Sequence, residues 1–172
     1  MFLSGQNPTM SITDDLARIA LQEQELQFPR FDEETAWNLG VHLRESAIAR
    51  NHKIVIDVRR NGQPLFYTAL PGTTPDNLEW VRRKSNLTFR FHRCSYAIGL
   101  EMEEKQSNIH DRYGLPVNDY VSHGGCFPLR VPGAGLVAAV TVSGLPQRAD
   151  HELAVEAICG LLGRDYQILR LE

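Results

Sequence analysis

The hydrophobic positions of this chain recur at two spacings, and the alternation between them marks out the elements. Leu16, Ile19 and Ala20 give a first helix one apolar face, with Ser11 or Thr13 placed to cap it and Asp14 and Asp15 in its first turn. Phe28-Pro29-Arg30-Phe31 ends that helix, and Asp32 caps a second one whose stripe is Ala36, Leu39, Leu43, Ala47 and Ile48, with Trp37 covering an edge. The β-branched run from Lys53 to Arg60 reads as a strand, Asn61-Gly62 as a tight turn, and Gln63 to Leu70 as the returning strand. After the turn at Pro71 to Pro75, Thr74 or Asp76 begins the next helix, and the stretch from Leu78 to Lys105 is long and helical in composition, with Leu78, Val81, Ser85, Thr88, Phe91 and Cys94 on one side. Gly99 inside it marks a break or a close contact between helices. Residues 106–121 read as irregular, and Asp119 to Ser122 as a short strand. Phe127 to Val131 and Leu136 to Ser143 flank a Pro-Gly-Ala-Gly turn and form a second hairpin. Gln147 to Leu162 is the last helix, with Leu153, Ala154, Ala157, Ile158 and Leu161 inward. Two hairpins separated by helices predict an α+β fold with a mainly antiparallel sheet of about five strands.

Composition narrows the picture. At 172 residues and 42% hydrophobic, the chain suits one domain over residues 11–172 with a substantial core, behind a loose tail at residues 1–10. Met10 is an alternative start. The three cysteines, Cys94, Cys126 and Cys159, are far apart and fit neither a zinc spacing nor a disulfide framework, which predicts a reducing, cytoplasmic setting. No apolar run is long enough for a membrane span. A net charge of −3 argues against nucleic acid and acidic membrane as partners. The charge is uneven, however: residues 50–95 hold nine Lys/Arg against three acids, between two acidic flanks. Such a basic middle either faces an anion or pairs with the flanks.

Candidate chemistry concentrates in Ser122-His123-Gly124-Gly125-Cys126. Adjacent glycines let a ligand approach the backbone and present N–H groups to a carboxylate or phosphate. The alternative is that Gly124 and Gly125 only permit a tight turn into the strand and close sheet packing. His123 and Cys126 supply a base and nucleophile pair, or else an ordinary surface histidine and a core thiol. Arg82-Arg83-Lys84 is the second candidate: neighbours on a helix point about 100° apart, so at most two of the three serve one anion, and the alternative is a salt bridge between subunits or a solvated face. Asp150 and Glu152 are explained by the positive end of the last helix. Nucleotide-loop, Walker-type and nucleophile-elbow patterns are missing, and the histidines form no metal-spaced cluster.

The Gly-Gly-x-Phe-Pro-Leu run at 124–129, the hairpin glycines, Val142-Ser143-Gly144 and Asp150-His151-Glu152 together resemble the heme-binding-protein-S-like and glycolate-locus-G-like family, often labelled "heme-degrading domain". The stretches KIVIDVRRNGQPLFYTALPGTTPDN and WVRRKSN resemble a branch of small cytosolic proteins of bacteria and fungi, and the likeness spans roughly residues 13–170. The resemblance implies a profilin-like α+β fold, symmetric homo-oligomers, and heme, corrinoid or small-metabolite contexts. It also makes Lys84 the most transferable basic residue, since relatives carry a lysine at the matching helical place. The expected role is binding: an oligomeric protein holding a small anion or tetrapyrrole near His123, Gly124, Gly125, Cys126, Arg83 and Lys84, with His123 or Cys126 as an axial ligand where the group is heme. Two alternatives stand beside it, an enzyme acting on heme or a small organic acid through His123, and a purely structural interaction module.

Overall fold

The computed structural model describes residues 11–172; the expected tail at 1–10 lies outside them. Helices α1 (Ile12–Glu25) and α2 (Glu33–Ala49) lead into strands β1 (Val55–Arg60) and β2 (Gln63–Ala69). Helices α3 (Pro75–Phe91), α4 (Ser95–Glu104) and α5 (Ile109–Tyr113) follow, then β3 (Cys126–Val131), β4 (Gly135–Ser143), α6 (Gln147–Leu162) and α7 (Tyr166–Leu169). The sheet has four strands, not about five, in the order β2-β1-β4-β3, all antiparallel. The two hairpins meet through β1 and β4, which pair from Val55 opposite Ser143 to Arg59 opposite Ala139.

Strand alternation sorts the sheet into two faces. Ile56, Val58, Phe127, Leu129, Val140 and Val142 join α1, α2 and α6 in the main core. The other face carries Asp57, Cys126 and Thr141 in lateral register, and α3 lies over it with Thr88 against the Cys126 thiol. Strand β4, apolar on both faces in sequence, is thus covered on both sides by helices of its own chain. Asp57, fully buried, is held by Arg59 through two hydrogen bonds of 2.5 and 2.8 Å.

Several local expectations are corrected. The long helix from 78 to 105 is interrupted: His92 takes a left-handed conformation with φ 55°, and Cys94 caps α4 through its thiol, which accepts from the Ala97 N–H. Long-range contacts impose this break. Arg130 donates to the His92 carbonyl, and Glu23 accepts from the Cys94 N–H at 2.7 Å. Gly99 sits inside α4 without breaking it; a Cβ there would stand 2.2 Å from the Ser122 carbonyl oxygen, so the glycine permits close passage of the loop. Residues 119–122 form no strand, and the stretch expected to be irregular contains α5, capped by Asn108 and closed by left-handed Gly114. Among outward side chains, Ile48 and Leu78 are exposed and not part of their stripes, while Trp37 covers Phe66 edge-on at 5.6 Å.

The basic middle is mostly paired within the chain. Arg50 meets Glu156, Arg60 meets Glu33, Arg82 meets Asp119 and Glu79, and Arg93 meets Glu101. The acidic flanks therefore account for much of its charge.

A buried polar chain ties α1, α6 and the C-terminus together. His151 Nε2 lies 2.8 Å from Gln22 Oε1; Gln22 donates to Glu152 at 3.2 Å and to the Leu169 carbonyl at 2.9 Å; Glu152 accepts from Tyr166 and from the Leu171 N–H. Burial, with a smaller contribution from Arg148, pushes the His151 pKa down to about 3. The unfolded chain therefore binds a proton near pH 6.5 that the folded chain refuses until about pH 3. This contribution to stability is complete above pH 6.5 and is lost as the pH falls toward 3. Urea midpoints at pH 7 and pH 5 should show the drop, and His151→Gln should shrink it relative to the native chain.

Candidate functional site

The N-termini of α3 and α6 converge at one end of the sheet. Thr74 and Pro75 start α3 there, so its first turns present Asp76, Asn77 and Trp80. Pro146 precedes α6, whose first turn presents Gln147 and Asp150. With Lys84, His123, Ser143, Gly144 and Leu145 these residues line an open, largely polar cleft of about 250 Å³.

The cleft floor is an ion pair. Lys84 Nζ donates to Asp150 Oδ2 at 2.9 Å and to the Val142 carbonyl at 3.1 Å, and the two side chains are only 3% and 2% exposed. Asp150 Oδ1 also accepts from the Leu145 N–H at 2.9 Å, and the Gly144 N–H approaches Oδ2 at 3.4 Å. Burial lifts the Asp150 carboxyl above its ordinary range, and Lys84 with these N–H groups offsets only part of that rise. The pair links α3, over one face of the sheet, to α6 on the other. Lys84 is therefore neither on a solvated face nor in a salt bridge between subunits, and its charge is already matched inside the chain.

Above the floor stands a stack of three side chains. The His123 ring lies 5.1 Å from that of Trp80, and the Arg83 guanidinium covers the Trp80 ring at 4.6 Å. Trp80 donates to Asp76 Oδ2 at 3.0 Å. His123 is exposed, and among the described residues neither of its ring nitrogens has a hydrogen-bond partner. Partial burial, then Lys84 and Arg83, lower its pKa, which favours the neutral imidazole. A second cleft of about 210 Å³, lined by Gly99, Ser107, Asn108 and Ser122, opens on the other side of His123 and Gln147.

The structure thus brings Lys84 and His123 into one cleft with Arg83 beside it, and places the other expected residues differently. The Gly124 N–H donates to Gln147 Oε1 at 3.2 Å, and the Cys126 N–H to Ser95 Oγ at 3.1 Å, so neither faces a ligand. A Cβ on Gly124 would stand 2.2 Å from the Gln147 carbonyl oxygen; one on Gly125, at φ 127°, would stand 2.3 Å from that of Val142 and 2.8 Å from Lys84 Nζ. The glycines make room for protein atoms, Gly125 for the lysine itself. Cys126 is fully buried outside the cleft, and burial pushes its thiol up to about 11, which leaves it poorly placed as a nucleophile. Trp80 and the pairing role of Asp150 have no sequence signal of their own. Trp80 stands beside the basic run with no spacing that marks it as a site residue, and a place at a helix start suffices to explain Asp150. No cluster of three or more metal-ligating side chains exists among the described residues, and no helix there is long and apolar enough to cross a membrane.

These features define a helix-covered antiparallel α+β protein with a polar cleft between two helix N-termini. The sequence profile of the family described as "Haem degrading protein HbpS-like" matches residues 31–159, and the chain belongs to that family. A UPF0303 protein of Acidobacterium capsulatum is 60% identical over 162 residues, covering 94% of this chain and 98% of its own. The crystal structure of Ybr137w protein superposes with a TM-score of 0.80 at 25% identity, over 86% of this chain and 87% of that one. A structure described as a PduOC:Heme complex shares the fold with a TM-score of 0.61 at 16% identity, over 71% and 88% of the two chains.

Removing one partner of the buried pair leaves the other charge stranded. Asp150→Asn and Lys84→Met should each cost about 3–5 kcal/mol, and the double variant less than their sum by about 1–3 kcal/mol. A urea double-mutant cycle measures this, and additive losses would mean the two side chains do not support each other.

Proposed function

We propose that this chain binds heme on the ledge formed by Trp80 and His123, with His123 as the axial ligand. The observation that carries this reading is the His123 imidazole: exposed, beside the Trp80 ring, and among the described residues free of hydrogen bonds to the protein. A neutral imidazole is the form that binds iron. Arg83 is the basic group suited to a heme carboxylate, because it makes only a long 3.4 Å contact to the Glu79 carbonyl besides its stacking on Trp80. Lys84, held by Asp150 and the Val142 carbonyl, fits that role poorly. Membership of the HbpS-like family and the heme complex of the PduOC structure support the same ligand. Bound heme would bring the redox chemistry of its iron to the mouth of the cleft.

A homo-oligomer is part of this reading. The sheet is open, with β2 and β3 at its edges, and Tyr67 on β2 is 45% exposed. Sedimentation velocity should give a multiple of the 19.4 kDa subunit mass; a monomer at tens of micromolar would remove this part.

Heme titration followed by absorbance at matched ionic strength tests the ligand. A Soret band that saturates at one heme per subunit or per dimer is expected, and His123→Ala should abolish the saturation. Arg83→Ala should weaken binding roughly two- to fivefold. Unchanged titration in His123→Ala overturns the assignment.

A further inference from the structure

The cleft floor carries a second kind of chemistry, independent of heme. Its two ionisable groups are arranged as an amine and a proton acceptor in contact, at the bottom of an opening of about 250 Å³. We propose that Lys84 captures a small, uncharged, hydroxylated aldehyde or ketone as a covalent imine on the floor of this cleft.

Three observations point there. First, Lys84 Nζ lines the cleft while being almost fully enclosed, with two of its three donors directed to Asp150 and the Val142 carbonyl. A Cβ on residue 125 would stand 2.8 Å from Nζ, so Gly125 keeps this position clear. Second, Asp150 is fixed by the Leu145 and Gly144 N–H groups at 2.9 and 3.4 Å, and so stays in place whichever partner holds the proton. Its Oδ2, 2.9 Å from Nζ, is a proton acceptor in direct contact with the amine. Third, the cleft has no excess positive charge for an anion. Asp150 matches Lys84, while Asp76, Asn77, Ser143 and Gln147 offer polar groups suited to hydroxyls.

The step balances without any further reagent. The Lys84 ammonium gives a proton to Asp150, and the free amine attacks the carbonyl carbon. A C–N bond forms as the carbonyl oxygen takes up the amine proton. Asp150 then returns its proton to that hydroxyl, water leaves, and a protonated imine remains. The imine nitrogen keeps the positive charge of the original ammonium, so the Asp150 carboxylate faces the same charge before and after.

The chain has only three lysines, and the other two, Lys53 and Lys105, are exposed, so they serve as internal references. The native full chain would be incubated with dihydroxyacetone and cyanoborohydride near pH 7, and reduced adducts mapped by peptide mass spectrometry. Lys84 should label roughly tenfold faster than Lys53 or Lys105, and should lose that lead in urea-unfolded chain. Labelling of Lys84 at or below the rate of the exposed lysines overturns the proposal. Pyruvate under the same conditions should give a smaller lead; a larger one overturns the choice of an uncharged substrate. No arm of this experiment contains heme, so its failure and that of the heme reading are separate results.

Discussion

Lys84 and Asp150 are buried against each other 2.9 Å apart, and the geometry around the cleft depends on this contact. One charge alone at that depth would be prohibitive; together, with the Val142 carbonyl and the Gly144 and Leu145 N–H groups, they are tolerated. The pair spans the end of the sheet and so fixes how far α3, on one face, stands from α6, on the other. That separation sets the width of the cleft. It also explains Gly125, whose lack of a side chain leaves the space that Nζ occupies.

The same pair decides the charge of the site. A lysine at the bottom of a cleft reads at first as an anion receptor. Here a carboxylate already meets it, and the remaining acid, Asp76, is exposed and bonded to Trp80. What remains unmatched is the His123 imidazole and, near it, the Arg83 guanidinium over the Trp80 ring. The proposed recognition of an uncharged polar molecule therefore falls to the floor, and the proposed heme contacts to the rim. Gln147 and His123 line both the main cleft and its neighbour.

Local signals in the sequence carried much of the fold. Asp32 before α2, Thr74-Pro75 before α3 and the turn glycines at 133 and 135 act on their immediate neighbours, and those elements form where they point. The last helix runs from Gln147 to Leu162 as its apolar spacing indicates. The break at His92 was illegible for the opposite reason. Nothing between Leu78 and Lys105 disfavours a helix strongly; the interruption comes from Arg130 and Glu23, residues far away in the chain. A missing fifth strand has a related cause, since 119–122 has strand-like composition but no partner strand beside it.

The candidate site shows the same division. His123 and Lys84 were visible as residue types that carry chemistry, and both reach the cleft. Gly124 and Gly125 were visible too, but a glycine pair looks the same whether it admits a ligand or another part of the protein, and here its neighbours are Gln147, Val142 and Lys84. Asp150 was hidden by a sufficient local explanation: an acid in the first turn of a helix needs no partner to justify it. Only the fold reveals that its carboxylate points across the sheet end to Lys84. A helix-start acid and a helix-face lysine, 66 residues apart, become one buried ion pair because β4 delivers its last residues, Val142 and Ser143, between them.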